Sequence, residues 1–278
     1  MSQQDGPMAL GAIEPARLAA ARIELHWAAQ VLAAAADAAL VRAGDDSHTN
    51  LFWDDENSAL IGRPLAEGLT LGLRFKDASL IALRAKAPGS EFALPGKSLA
   101  DALGWASATI DAKKSLEIRD YEMPAHREIQ NGGPFADAGD AHEELGRYYN
   151  LATVVLSTLA DAESGATPIA VWPHHFDLGG IVFLEEASEA AAQIGFGLSP
   201  GDGTISEPYF YVTPWPLAED PALPPLEGGG SWQRAGFTGA VLRASDLTSG
   251  APEEQHRRIG AFIASAMTAG RRLISEAR

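Results

Sequence analysis

The densest run of chemically capable side chains lies between residues 171 and 216, which read VWPHHFDLGG and, further on, EPYFYVTPWP. Taken as a strand, VWPHHFDL puts Trp172, His174, Phe176 and Leu178 on one face and His175 and Asp177 on the other. The same alternation in EPYFYVT groups Glu207, Tyr209, Tyr211 and Thr213. Paired, the two strands would gather His175, Asp177, Glu207, Tyr209 and Tyr211 on one polar, aromatic surface. Carboxylates beside imidazoles are the equipment of general acid–base catalysis. Asp177 and Glu207 are therefore the expected catalytic carboxylates, with His175 and His142 as proton carriers. Tyr209 and Tyr211 would position substrate, as would Trp172, His174 and, from the first helix, His26 and Gln30. The plainer alternative is the wet face of an antiparallel sheet, where tyrosines and acids are ordinary.

His174, His175, Asp177, Glu207 and His142 also supply metal donors, but no pair of histidines has a zinc spacing such as HExxH. No cofactor and no metal ligand is assigned, and a divalent metal stays the one alternative these donors allow. Gly197-Leu198-Ser199-Pro200-Gly201 has the letters of a nucleophile elbow. The residue after its serine is Pro200, which has no N–H for an oxyanion. SPGDG reads instead as a tight hairpin. Gly96-Lys97-Ser98 lacks the earlier glycine of a phosphate loop, and no dinucleotide fingerprint joins a strand to a helix. The acids Asp45, Asp46, Asp54, Asp55 and Glu56 match no calcium loop and read as a solvated turn.

These residues need a frame. After an expected disordered tail over residues 1–14, a long alanine-rich helix is expected at 15–43, started by Pro15 and ended by Gly44. Leu18, Leu25 and Leu32 mark its packed side, and Arg22, His26, Gln30 and Asp37 its solvated side. Short apolar runs over 48–86 suggest antiparallel hairpins. A helix at 98–112 carries a capping box of Ser98 and Asp101. A strand is expected near 115–122, a helix at 141–162 capped by Asp140, a strand near 236–243 and a final helix at 252–276. NLFWDDENSALIG loosely echoes AVWPHHFDLGGIV, which suggests two similar α-β-β-α halves at 15–122 and 140–278. The expected fold is one α+β domain over 15–278, a mostly antiparallel sheet with helices on one face.

Composition bounds the function. With 278 residues the chain can bury roughly three quarters of its unfolded surface. A net charge of -16 opposes phosphate backbones and anionic membranes, so neither nucleic acid nor a membrane is an expected partner. The sequence holds no cysteine, which removes disulfides, thiolate nucleophiles and cysteine-ligated metals. No signal peptide and no apolar run near ~20 residues is present, so a cytoplasmic protein is expected. A small-molecule ligand and a second copy of the chain are the admissible partners.

The chain resembles the uncharacterised bacterial family of domain of unknown function 5996 over about residues 20–217. Leu25, His26 and Gln30 fit its L-H-x-x-x-Q helix. Pro134 and Phe135, followed by Asp137 or Asp140 and His142, fit a P-F segment with an acid and a histidine. Trp172, Phe176, Asp177 and Leu178 fit an aromatic strand ending F-D-L. Pro200, Gly201 and Gly203 lead into Glu207, Pro208, Phe210 and Tyr211 as its E-P-x-F-Y motif does. The first helix is alanine-rich where the family has glycine and basic residues, and His174 and His175 stand where small residues are common. The resemblance implies no activity. The residues point to an enzyme acting on a small polar molecule by acid–base chemistry, hydrolysis or lyase-type. The alternatives are a non-catalytic ligand-binding domain and an interaction protein with a tyrosine-rich interface.

Overall fold

The alanine-rich segment after Pro15 forms a single turn of 3-10 helix and then α1, Leu18–Ala39, in a computed structural model that describes residues 9–84, 87–137, 139–188 and 191–278. The helix ends at Leu40 rather than at Gly44, where the backbone turns extended. The chain divides into two units: residues 17–146 with 170–177, and residues up to 16 with 147–169 and 178–278. Helices accompany two antiparallel sheets, the expected α+β class.

In the first unit, β1 (Phe52–Asp54), β2 (Ala59–Ile61), β3 (Leu69–Arg74), β4 (Ser79–Arg84) and β5 (Ala87–Ala93) pair antiparallel in chain order. α1 packs on β3 and on α2, Leu99–Thr109. Ser98 and Asp101 cap α2 reciprocally, as their spacing requires. Short α3 (Arg127–Gln130) and the opening turns of α4 (Asp140–Ala162) follow. β6 (Ala170–Trp172) returns to this unit, where Val171 bridges Leu51. A run of rings forms the core: Trp53 lies edge-on to Phe75 at 5.4 Å, Phe75 lies 6.2 Å from Phe176, and Phe176 stacks on His26 at 5.2 Å.

α1 departs from the amphipathic expectation. Arg22, His26 and Gln30, assigned to solvent, are buried along with Leu25, Val31 and Leu32, as is Glu24, and of that stripe Asp37 alone is half-buried. Alanine permits this, because its side chain lets neighbours approach the backbone on every side. The expected strand at 115–122 is also absent; that segment is irregular, with the Tyr121 N–H bonded to the Arg119 carbonyl at 2.9 Å.

In the second unit, β7 (Asp177–Phe183), β8 (Gln193–Ser199), β9 (Tyr209–Trp215), β10 (Ser231–Gln233) and β11 (Gly239–Arg243) pair antiparallel in the order β10-β11-β9-β8-β7. Residues 200–208 connect β8 to β9, longer than the tight hairpin expected of SPGDG. After α5 (Ala244–Leu247), α6 (Pro252–Ala277) lies over β8, β9 and β11. Ile259, Phe262, Ile263, Ala266, Leu273 and Ile274 form its buried stripe, at the spacing their periodicity demands. Of the expected tail, residues 1–8 lie outside the described residues. Leu10 is buried, and its N–H and carbonyl both bond the Gln255 side chain. Among the described residues no helix is long and apolar enough to cross a membrane.

On β8, Gly197 sits between Gly179 of β7 and Tyr211 of β9 in register. A Cβ on Gly197 would stand 2.5 Å from the Leu178 carbonyl oxygen and 2.6 Å from Tyr211 Cζ. The tyrosine ring thus lies flat across a strand with no side chain there. Gly197→Ala is expected to lower unfolding free energy by about 1–3 kcal/mol. An unchanged urea midpoint would show that the ring has room to give way.

Candidate functional site

VWPHHFDL is not one strand. β6 stops at Trp172, residues 173–176 turn, and β7 starts at Asp177. Strand alternation therefore does not divide the histidines. The Phe176 N–H closes the turn on the Trp172 carbonyl at 2.6 Å. Phe176 itself has φ +59°, a left-handed conformation that costs a bulky residue free energy, yet its side chain is fully buried.

What holds the strain is α1. His26 Nε2 donates to the Pro173 carbonyl at 2.9 Å, and Gln30 Nε2 donates to the same oxygen at 2.7 Å. Residues four apart on a helix share a face, so both side chains reach one turn. His26 also stacks on Phe176. The clamp fixes the backbone on which His174 and His175 stand. Burial lowers the pKa of His26 to about 4, so it works as a neutral imidazole.

His174 is half-buried, with its ring 5.4 Å from Tyr121, 5.9 Å from Trp172 and 4.3 Å from His175. Burial, and then the neighbouring His175, lower its pKa. Among the described residues its Nδ1 is buried without a partner, which leaves Nε2 as the nitrogen open to a ligand. An orphaned acceptor costs less than an orphaned N–H. The ring proton therefore belongs on Nε2.

Beyond Tyr121 lies a network that the sequence did not disclose. Arg119 Nη1 donates to the Tyr121 hydroxyl at 2.9 Å and lies 2.7 Å from Asp46. Arg119 also grips Asp37 with both Nε and Nη2. His48 Nδ1 accepts the Ala43 N–H, which puts the ring proton on Nε2 and directs it to Asp37 Oδ1 at 2.8 Å. Burial works to raise the Asp37 pKa, but the hydrogen bonds from Arg119 and His48 outweigh it and hold the carboxyl below its usual range. Arg119 lowers Asp46 likewise. Burial raises Tyr121, which keeps it a protonated phenol. Asp37 and Asp46, taken from sequence as solvated, are the anchors of this network. Their signal was present only in the positions of Asp37, His48 and Arg119, far apart in sequence and brought together by the loops after α1.

The other expected site residues have different surroundings. His142 is buried in the first turn of α4, its Nε2 without a partner among the described residues, and burial lowers its pKa to about 4. Asp177 is half-buried as the first residue of β7. Glu207, Tyr209 and Tyr211 belong to the second unit. There, Glu207 accepts the Ser245 N–H at 2.6 Å and the Ser245 hydroxyl at 2.9 Å, which secures the first turn of α5. The Tyr209 hydroxyl donates to Asp202 at 2.5 Å, and Asp202 in turn binds the N–H groups of Thr204 and Ile205. Both residues thus shape loops. Glu207 also precedes β9 rather than lying within it. Among the described residues no group of three or more histidines and acids could hold a metal ion.

No protein-family model matches the chain, and no curated protein or solved structure is significantly similar to it.

His26 and His142 give stability a pH dependence. A histidine whose folded pKa lies below that of the unfolded chain binds fewer protons when folded, so acid favours unfolding. Stability is expected to fall as pH drops from about 6.5 to about 4. Urea midpoints at pH 7 and pH 4.5 measure the fall, and His142→Gln should reduce it. An unreduced fall in that variant would mean that His142 is protonated in the fold.

Proposed function

We propose that the protein acts on a small molecule at the site formed by Tyr121, Trp172, His174 and His175, by acid–base chemistry. His174 and Tyr121 act as donors toward a ligand oxygen, and solvent-facing His175 serves as the base. Arg119, with Asp37, Asp46 and His48 behind it, positions the Tyr121 hydroxyl. The observation that carries this reading is the clamped turn. Its left-handed Phe176 is held by two side chains on one carbonyl, and backbone strain of this kind concentrates where side chains must be aimed. Neutral donors set at a partly buried site stabilise charge developing on oxygen. Hydrolysis and lyase-type proton abstraction both develop such charge.

Glu207, with both oxygens given to Ser245, is left out of this machinery, as is His142, a buried ring whose Nε2 has no partner among the described residues. A binding site without catalysis is favoured by one observation: Asp37 and Arg119 spend their hydrogen bonds on each other and on His48, Asp46 and Tyr121, which is a holding task. Turnover separates the two readings. 4-Nitrophenyl esters probe hydrolysis, and β-hydroxy carbonyl compounds probe elimination. Tyr121→Phe and His174→Gln should each lower turnover about 100-fold with little change in melting temperature. Turnover that both variants retain, or none at all by wild type, rejects the enzymatic reading.

A further inference from the structure

We infer that the ligand group received by Tyr121 is an uncharged hydrogen-bond acceptor, a carbonyl oxygen of an amide, ester or ketone rather than a carboxylate or an ammonium. The inference rests on the site assignment above and names the chemistry of what enters it.

Three observations select that class. First, the Tyr121 oxygen accepts from Arg119 Nη1, so its own hydrogen is free to be given, and among the described residues no acceptor takes it. Second, His174 presents a second donor, because its buried Nδ1 leaves the ring proton on Nε2. The two rings stand 5.4 Å apart, so one ligand group can meet both. Donors require an acceptor, and an ammonium offers none. Third, the surrounding charge is unfavourable to an anion. Asp37 and Asp46 take up the guanidinium of Arg119, and Asp46 also lies 3.8 Å from Arg42 Nε. The two acids and two guanidiniums offset one another, so the network offers no surplus positive charge to a carboxylate. A carboxylate would give up its hydration at this half-buried site without a compensating charge, whereas a neutral carbonyl gives up less and accepts both hydrogen bonds. The Trp172 ring, edge-on to His174 at 5.9 Å, adds an apolar wall for the rest of such a molecule.

The test uses three probes of one shape, benzamide, benzoate and benzylammonium, titrated into the full chain labelled with carbon-13 at tyrosine Cζ. The sequence has five tyrosines, so the signals are few, and Tyr121→Phe assigns the one of interest. Benzamide is expected to shift the Tyr121 signal saturably, with a Kd at least tenfold below that of benzoate. Asp46→Asn removes one carboxylate from the half-buried network and should narrow that gap several-fold. Benzoate or benzylammonium binding as well as benzamide overturns the inference. So does the absence of a saturable shift with all three. A site that binds benzamide but turns over no substrate retains this inference and loses the catalytic reading, so the two fail separately.

Discussion

The turn and loops of the first unit that carry Arg119, Tyr121, His174 and His175 hang from α1. Glu24 takes the Nε2 proton of His126 at 2.7 Å and the Ala136 N–H at 3.2 Å, and Trp27 donates to the Pro124 carbonyl at 3.0 Å. His26 and Gln30 hold the turn at Pro173, and Asp37 holds Arg119 and His48. A buried polar group is costly unless bonded, so each of these side chains has one arrangement in which the helix can be buried. The alanines between them make no demands and let the loops come close. The helix is in this sense a rack, and its polar positions decide where the loops go.

That constraint explains what could be read from the sequence. Ser98 and Asp101 were legible because a cap depends on residues three apart. The stripe of α6 was legible because burial against one sheet leaves a 3.6-residue period. α1 misled because burial on all sides erases that period, and its polar residues then look like a wet face. The Trp172–Asp177 segment misled for a related reason. Nothing local announces that a phenylalanine will accept a left-handed backbone; only Pro173 and the helix opposite make it do so. The candidate site was half visible. Trp172, His174, His175, His26 and Gln30 do belong to one place, whereas Arg119, Tyr121, Asp37 and His48 join them through loop geometry that no spacing encodes.

The faint sequence echo also has a physical counterpart. The connection between β1 and β2 is residues 55–58, and that between β6 and β7 is residues 173–176. Each has four residues and ends in a left-handed position, Ser58 at φ +47° and Phe176 at φ +59°. Serine there faces little steric conflict with its neighbours. Phenylalanine needs its ring enclosed, and stacking on His26 encloses it. Two turns of one design thus differ in how much of the surrounding structure they require.

The glycines under Tyr211 carry a consequence for how the second sheet forms. Strands poor in side chains have little to distinguish one pairing from the pairing shifted along by two residues. β7 and β8 bring Gly179, Gly180, Gly195 and Gly197 to their contact, and these positions add no side chains of their own to fix the alignment. The Tyr211 hydroxyl rests within 2.7 Å of where side chains on Gly179 and Gly197 would begin, so only one alignment leaves a bed for that ring. A single phenol thereby acts as a locating pin for three strands in the folded sheet.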